Sequence, residues 1–304
     1  REEVKFQLDE AGKPIGVYFK EQKESNQMIE EFMLLANRRV AEFCGKRKTD
    51  KGRTVERTMV YRVHDKPSEE KLDRFRQFIL RFGHIFKATG GRAVAKELNK
   101  LFAQIKGSTE ENAVSTMAVR SMAKAFYTTD NIGHYGLAFP YYTHFTSPIR
   151  RYPDLQIHRI IKDDLRGRLD KGGRIGKYSS ILQHVAEQSS AMEQRAAEAE
   201  REAVKLKKAE YMLEHVGEEY DGVISGVTGW GFYVELPNTV EGLVHIMTLK
   251  DDYYNFDEEN YRLVGEQHGR VFRLGEPVRV RVRNAEPANR TIDFTYVEKE
   301  TETE

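Results

Sequence analysis

Apolar and polar residues follow two different periods along the chain, and the period changes near residue 217. Before that point most apolar residues recur every three or four positions, which is typical of amphipathic helices. The segment "VKFQLDEAGKPIGVYF" is an exception, since it alternates with period two on both sides of "EAGK". It predicts a β-hairpin with Gly12 in its turn. Residues 1–216 are therefore predicted to be mostly helical, with a little sheet.

Several helix boundaries are marked by residue types that favour them. Ser25 is expected to cap "SNQMIEEFMLLANRRVAEF", and Ser68 is expected to cap the helix that runs to "FILRF". "TEENAVSTMAVRSMAKAFY" is predicted to be one helix, and Pro153 is tolerated in the first turn of "PDLQIHRIIKDDL". Residues 178–215 form one long helical pattern that Gly217 closes.

Beyond Gly217 the residues alternate in short runs separated by Gly and Pro, as in "EYDGVISGVTGWGFYVEL" and "RVFRLGEPVRVRVRNAEP". Roughly five such strands in about 80 residues predict a small closed barrel. The predicted fold class is therefore α+β. The predicted divisions are a mostly helical domain at residues 1–216, a five-stranded β-barrel at residues 217–297 and a polar tail at residues 298–304.

Composition places the chain among globular proteins. Of its 304 residues 39% are hydrophobic and 32% are charged, and no apolar run approaches the roughly 18 residues of a membrane span. We therefore expect no membrane association and a cytoplasmic location. Cys44 is the only cysteine, which excludes an internal disulfide and fits a reducing compartment. Because the sequence starts at Arg1 within a strand-like pattern, we expect it to be part of a longer protein.

Charge is distributed unevenly between the two regions. Residues 217–304 hold 9 Lys and Arg against 18 Asp and Glu, whereas residues 1–216 hold 40 against 30. The net charges are thus −9 and +10. A basic region of this kind favours a polyanion as partner, although many enzymes carry such a charge without binding nucleic acid.

The densest group of candidate binding residues lies in "HFTSPIRRYPDLQIHR", residues 144–159. A loop that contains Thr, Ser and Arg and leads into a helix is a favourable site for an oxyanion, and one guanidinium can bind two phosphate oxygens. The tyrosine of this segment can either stack or pack, and its two histidines are expected to be hydrogen-bonded structural residues. The candidate anion-binding and RNA-binding residues here are Thr146, Ser147, Arg150, Arg151 and Tyr152.

A second group of candidates lies in the predicted barrel. Trp230 and Tyr233 stand on either side of Phe232 in one strand, and aromatic rings are the stacking platforms that single-strand binders use. Three arginines at alternate positions, including Arg281, share one face of another strand and could follow phosphates. The alternative interpretation is that the aromatic rings only pack the barrel and the arginines only solvate its surface.

Residues 217 to about 297 resemble the S1-type RNA-binding domain, an OB-fold, through "YDGVISGVTGWGFYVELPNTVEGLVHI" and the basic strand that follows. The resemblance implies binding of single-stranded RNA. By the pattern of that family, Trp230, Tyr233 and His245 are expected to face the RNA, and Phe232 is expected instead in the core. Arg281 stays a candidate for phosphate contact on the ground of its alternating position. Because the domain is acidic, we expect stacking to contribute more than long-range attraction.

The region before the barrel resembles the RNB family, the ribonuclease II and ribonuclease R type of exoribonuclease. The segments that carry the likeness are "HYGLAFPYYTHFTSPIRRYPDLQIHRII", "MIEEFMLLANRRVAEF", "YRVHDKPS" and "AVRSMAKAFY". The resemblance implies processive hydrolysis of RNA from its 3′ end to nucleoside 5′-monophosphates, with Mg²⁺ as cofactor. It places Arg150 at the scissile phosphate and a catalytic glutamate on the long helix. Glu200 is the expected glutamate, and Glu198 is the alternative.

The family's cluster of metal-binding aspartates has no counterpart in this chain. The acidic segments "KDDL" and "KDDYYNFDEEN" are expected to be solvated faces, so no metal ligand is assigned. Residues 1–216 thus resemble the C-terminal part of the RNB catalytic domain. We expect the missing N-terminal part to come from the same parent protein, the complete protein to be a monomer, and these 304 residues alone to be inactive.

Two other functional classes remain open at this point. One is a non-catalytic RNA-binding module in which the helical region serves as a scaffold for the barrel. The other is a phosphate-binding enzyme with different chemistry, which would need a nucleophile or base that the sequence does not display.

Overall fold

The computed structural model describes residues 3–48, 52–108, 110–170, 173–258 and 260–298. The chain divides into two compact units. The helical unit consists of residues 22–101 and 118–197, and the barrel unit consists of residues 1–21, 102–117 and 198–304.

Six α-helices lie within the described residues. They are α1 (Glu24–Gly45), α2 (Glu69–Leu80), α3 (Gly91–Ile105), α4 (Glu111–Ser121), α5 (Tyr152–Leu165) and α6 (Arg174–Leu213). None of them, over the part of the chain that the structure describes, has both the length and the apolar character that a membrane span needs.

Fourteen β-strands lie in the same described ranges. They are β1 (Glu3–Leu8), β2 (Pro14–Lys20), β3 (Lys46–Lys48), β4 (Thr54–Glu56), β5 (Tyr61–Val63), β6 (Phe126–Thr128), β7 (Glu219–Thr228), β8 (Gly231–Glu235), β9 (Glu241–His245), β10 (Tyr254–Asp257), β11 (Arg262–Gly265), β12 (Val271–Arg273), β13 (Pro277–Glu286) and β14 (Thr291–Val297). The prediction of an α+β fold with a helical region and a C-terminal barrel is confirmed.

The predicted N-terminal hairpin is present. Strands β1 and β2 pair in antiparallel register, and Gly12 has a φ of 79° in the turn between them. This is the left-handed region that glycine enters without steric cost. Asp9 stabilises the same turn, because its side chain accepts hydrogen bonds from the backbone amides of Ala11 and Lys13.

The core of the helical unit joins segments that are far apart in sequence. Its buried residues are Ala41, Cys44, Met59, Val60, Tyr61, Val63, Tyr127, Ile157, Ile160, Leu169, Tyr178, Leu182 and Ala186. Most of them come from α1, β5, β6, α5 and α6, whereas Met59 and Val60 precede β5 and Leu169 lies between α5 and α6. Strand β5 pairs antiparallel with β6. The residues between β6 and α5 contain the segment with the candidate site.

The barrel is closed by five strands in the order β13–β14–β9–β8–β7, as the sequence predicts. Phe232, Val234, Val244, Val280 and Phe294 fill its interior. Phe232 is fully buried, so its predicted place in the core is confirmed. The long connection after β9 forms a separate three-stranded sheet, β10–β11–β12, that the sequence pattern did not predict.

Some predicted helix boundaries differ from the structure. Ser68 caps α2 as expected, since its hydroxyl accepts from the backbone amide of Lys71. Ser25 is not the cap of α1, because the helix already begins at Glu24 and Asn26 satisfies the backbone amide of Lys23. The predicted helix "TEENAVSTMAVRSMAKAFY" is wrong beyond Ser121, where α4 ends and the chain goes on to form β6 against β5.

Candidate nucleic-acid interface

The loop before α5 is held by hydrogen bonds to three consecutive backbone amides. The Oδ1 atom of Asn37, on α1, accepts from the amides of Phe145 (2.9 Å) and Thr146 (3.3 Å). The Oδ1 atom of Asp154, in the first turn of α5, accepts from the amide of Ser147 (2.8 Å). The loop therefore has a fixed course immediately before the two arginines.

The two adjacent arginines of the loop have different environments. Arg151 donates from Nε (3.2 Å) and Nη2 (2.8 Å) to Oδ1 of Asp154, whose side chain is fully buried. Arg150 is exposed, and its guanidinium makes no hydrogen bond or ion pair within the described ranges. Of the two, Arg150 therefore has all its donors available to a ligand.

The remaining loop candidates also present polar atoms that are available for binding. The hydroxyl groups of Thr146 and Ser147 are half-buried and have no hydrogen-bond partner among the described residues. Tyr152 is 51% exposed at the start of α5, where it can stack. The structure thus brings Thr146, Ser147, Arg150, Arg151 and Tyr152 into one turn at the helix start.

The two histidines of the segment are hydrogen-bonded within the helical unit. Nδ1 of His144 lies 2.7 Å from the hydroxyl of Tyr127, and Nε2 of His158 lies 3.0 Å from the carbonyl oxygen of Phe145. Burial, followed by the positive charges of Arg151 and Arg62, lowers the pKa of His144 to about 2. This imidazole is therefore neutral at physiological pH and accepts a hydrogen bond from the phenol.

A further set of contacts supports the ring of Tyr127 beneath the loop. Arg62 lies over the ring at 4.7 Å from its centroid and pairs with Glu193 on α6 at 2.5 Å. Burial raises the pKa of Tyr127 to about 12, so the phenol stays protonated and donates to His144. His144 of the loop is thus connected through Tyr127 to the Arg62–Glu193 ion pair.

The candidate glutamates lie on α6. Glu198 and Glu200 are both exposed, and both belong to the part of α6 that is assigned to the barrel unit, whereas Arg150 belongs to the helical unit. Neither glutamate has a hydrogen-bond or ion-pair partner in the described part of the chain. The choice between them remains a prediction.

The expectation that "KDDL" is a solvated face is wrong. Asp163 accepts a hydrogen bond from the hydroxyl of Tyr178 (2.8 Å), and Asp164 pairs with the largely buried Arg57 (3.0 Å). Both carboxylates are half-buried structural partners. Among the residues that the structure describes, no group of three or more His, Cys, Asp or Glu could hold a metal ion.

The acidic insertion of the barrel also differs from a simple solvated face. The side chain of Asp252 is fully shielded from water and accepts from the backbone amides of Tyr253, Gln267 and His268. Asp251 accepts from the hydroxyl of Tyr254. These carboxylates organise the loops around β10 and β11.

The aromatic candidates of the barrel lie together at one end of β8. Trp230 is 54% exposed, and its Nε1 lies 3.4 Å from the hydroxyl of Tyr233. His245 is adjacent, because its neighbour across the β8–β9 ladder is Gly231. Any side chain at Gly231 would collide with the carbonyl oxygen of Val244. Glycine therefore allows the close strand approach that groups the three rings.

Arg281 is not part of this aromatic group. It lies opposite Glu219, at the first residue of β7, whereas the Trp230 turn follows the last residue of that strand. Along a ten-residue strand the two ends are separated by roughly 30 Å. Arg281 and Arg279 both donate to Glu219, and these hydrogen bonds hold the pKa of that carboxyl below its usual value.

Asn37 is the residue of this site that the sequence reasoning missed. It occupies the apolar face of α1, in register with Ala41 and Cys44, and only 4% of it is exposed. An amide in an apolar helical stripe must be hydrogen-bonded, and this was the available signal.

Family comparisons divide the chain in the same order as the sequence patterns. A model of the RNB domain matches residues 1–167, and a model of the S1 RNA binding domain matches residues 214–296.

Curated relatives are similar over nearly the whole chain. Ribonuclease R 1 of Lactococcus lactis is 42% identical over 98% of this chain and 35% of its own length. Ribonuclease R of Aquifex aeolicus is 40% identical over 98% of this chain and 41% of its own length. The chain therefore spans about two fifths or less of these relatives.

A solved structure has the same fold. Mycoplasma genitalium RNase R, in complex with ribose methylated single-stranded RNA, is 25% identical, with a TM-score of 0.87. The match covers 98% of this chain and 45% of that one.

Proposed function

The chain belongs to the RNB family, and we propose that it is part of a hydrolytic exoribonuclease of the ribonuclease R type. The complete enzyme degrades single-stranded RNA processively from the 3′ end and releases nucleoside 5′-monophosphates. Relatives named ribonuclease R support this proposal over nearly the full length of the chain. The observation that carries it is the exposed, unpaired guanidinium of Arg150 on a loop whose backbone is fixed.

Arg150 binds the scissile phosphate in this proposal. Its fork can donate to two phosphate oxygens, and the start of α5 directs the positive end of a helix dipole toward the same region. A donor that is already in position stabilises charge that develops on the phosphate in the transition state. The free hydroxyls of Thr146 and Ser147 donate to neighbouring oxygens, Arg151 adds positive charge, and Tyr152 stacks on a base.

The glutamate near the scissile phosphate is Glu200 in this proposal, with Glu198 as the alternative. Both side chains are exposed, which leaves them available to a ligand or to another part of the complete enzyme.

The barrel binds the RNA strand as it approaches. Trp230 and Tyr233 offer ring faces to bases, and the imidazole of His245 lies beside them. Arg281 contacts a phosphate that lies away from these rings. To do so, its guanidinium either shares its hydrogen bonds between Glu219 and the phosphate or releases Glu219. Residues 217–297 form this domain, and residues 1–216 form the C-terminal part of the catalytic domain. Of the polar tail expected at residues 298–304, residues 299–304 lie outside the described residues.

RNB exoribonucleases are generally dependent on a divalent metal ion, and we propose Mg²⁺ for the complete enzyme. The carboxylates that the structure describes do not fit such a site, because no three of them cluster with each other or with His or Cys. The metal ligands then come from the remaining part of the catalytic domain, within the same protein. The complete enzyme acts as a cytoplasmic monomer.

The test uses the full-length protein that contains this chain. RNA labelled at its 5′ end is bound in excess enzyme, and the single-turnover rate and the affinity are measured for wild type, Arg150→Ala and Arg150→Lys. We expect Arg150→Ala to lower the rate by about 10²–10³-fold while affinity changes little. Lysine should restore little of the rate, because an ammonium group lacks the planar fork.

Arg166→Ala is the matched control. Arg166 is exposed at the other end of α5, roughly 20 Å away along the helix. A wild-type rate for Arg150→Ala would disprove the proposed role of this arginine. An inactive full-length wild type that binds RNA would favour the non-catalytic RNA-binding module instead.

A further inference from the structure

Two buried side chains from different helices converge on the loop that carries Arg150. Asn37 is 4% exposed and Asp154 is fully buried. Together they accept hydrogen bonds from three successive amides, those of Phe145, Thr146 and Ser147. This arrangement anchors the loop to α1 and α5 at once.

The orientation of the Asn37 amide is determined by its partners. Oδ1 faces the two loop amides, which can only donate, and Nδ2 donates to the hydroxyl of Tyr142 at 3.2 Å. A rotation of the amide by 180° would place NH₂ against the two N–H groups. The side chain therefore acts as a directional link between α1 and the loop.

Ser147 transmits this constraint to the arginines. Its amide is fixed by Asp154, and its carbonyl oxygen accepts from the amides of Arg150 (3.3 Å) and Arg151 (3.0 Å). Ile149, at the tip of the turn, is fully exposed and contributes no packing that could hold the loop. The position of Arg150 thus depends on the hydrogen bonds at residues 145–147.

We propose that Asn37 and Asp154 are positioning residues that set the place of the Arg150 guanidinium. The inference rests on the proposed function of Arg150. Neither side chain touches the RNA. Both act by holding the backbone of the loop, since a displacement of about 1 Å in a reacting geometry can lower a rate on the order of 10²-fold.

Asn37→Leu tests the link in the full-length enzyme, because leucine keeps the size of the side chain and removes its acceptor. We expect the single-turnover rate to fall on the order of 10–10²-fold, with less than a threefold change in affinity for 5′-labelled RNA. Asn37→Asp retains an acceptor at the same place and should recover most of the loss. If Asn37→Leu does not fold, Asn37→Ser, with a shorter acceptor, is compared with Asn37→Asp in the same way.

Thr143→Val is the matched control for a general loss of stability. Thr143 is fully buried, and its hydroxyl donates to the carbonyl oxygen of Val60 rather than to the loop. We expect Thr143→Val to lower the melting temperature about as much as Asn37→Leu does. The rate at 20 °C should stay within about twofold of wild type, because Thr143 makes no bond to the amides that fix the position of Arg150.

The decisive measurement is the double variant Asn37→Leu/Arg150→Ala. If Asn37 acts through Arg150, adding Asn37→Leu to Arg150→Ala should lower the rate by less than twofold. An equal loss in both backgrounds would overturn the inference while leaving the role of Arg150 intact. A wild-type rate for Arg150→Ala alone would instead overturn the proposed function, and this inference with it.

Discussion

Arg151, which is half-buried, forms an ion pair with the fully buried Asp154 at the start of α5. Both Nε and Nη2 of the arginine donate to the same carboxylate oxygen, at 3.2 and 2.8 Å, and the aspartate is fully buried. The pair explains why adjacent arginines serve different purposes, since Arg151 balances an internal charge and Arg150 extends outward.

This pair predicts that Arg151→Ala destabilises the protein through Asp154. Removal of one partner leaves a buried charge uncompensated, which typically costs about 3–5 kcal/mol. Urea unfolding of the 304-residue chain measures the loss. Arg150→Ala is the control and should change the free energy of unfolding by less than about 0.5 kcal/mol, because its side chain is exposed. A loss below about 1 kcal/mol for Arg151→Ala would contradict the structural role.

The second prediction concerns catalysis by the chain alone. These 304 residues are expected not to hydrolyse RNA, because the described part of the chain holds no carboxylate cluster for a metal ion. The purified chain is incubated with 3′-labelled single-stranded RNA and Mg²⁺, and released mononucleotide is measured. Sustained release that EDTA abolishes would mean that the metal site has been misplaced.

The third prediction concerns RNA binding by the barrel. For the domain from about residue 217 onward, Trp230→Ala should weaken binding of a short single strand by about 1–3 kcal/mol. The affinity should depend only weakly on salt concentration, because few phosphates are neutralised. Each phosphate contact adds only about 0.7 to the slope of log affinity against log salt concentration for single strands. Fluorescence anisotropy across a salt series provides both quantities.

Glu258→Lys is the control for the barrel experiment. Glu258 is an exposed residue of the acidic insertion, and reversing its charge should change affinity little. Asp252 would be a poor control, because its carboxylate accepts hydrogen bonds from three backbone amides. Replacing it would disturb the insertion itself. A steep salt slope with unchanged affinity for Trp230→Ala would assign RNA binding to the basic region instead.

The fourth prediction concerns stability at acidic pH. The pKa of His144 is about 2 in the fold and about 6.5 in an unfolded chain. Above about pH 6.5 the imidazole is neutral in both the folded and the unfolded state, so its titration takes nothing from the free energy of unfolding. As the pH falls below 6.5 the unfolded state binds the proton first, so stability decreases by up to about 1.4 kcal/mol per pH unit.

His144→Gln should make this decline less steep when urea unfolding is measured between pH 7 and pH 4.5, a range chosen around the free histidine pKa. His184→Gln is the control, because His184 is exposed on α6. An unchanged pH dependence in His144→Gln would show that other groups cause the decline.

The periodic parts of the molecule were predictable from sequence. Alternation in the C-terminal region predicted a five-stranded closed barrel, and helical spacing predicted α5 and α6. Such patterns work because burial depends on which face of a strand or helix a residue occupies. The three-stranded insertion was missed, since its strands are only three or four residues long and show little periodicity, and α3 was not identified.

The resemblance of "SPIRRYPDL" to a family signature located the candidate site, and local chemistry suggested an anion-binding loop. Local chemistry left Arg150 and Arg151 equivalent, and only the family resemblance assigned the scissile phosphate to Arg150. The fold supplies a physical difference between them, because it buries Asp154 within reach of Arg151 and leaves Arg150 exposed.

Tertiary structure also decided which distant residues act together. Asn37 accepts a hydrogen bond from the amide of Phe145, 108 positions later in the chain. No local sequence pattern connects the two residues. Alternation placed Arg281 on one face of its strand, and only the strand register shows that it lies opposite Glu219, away from Trp230. Sequence periodicity determined which faces are buried, because that property is local. The pairing of strands and the packing of α1 against the loop determined which polar groups meet, because those contacts exist only once the chain has folded back on itself.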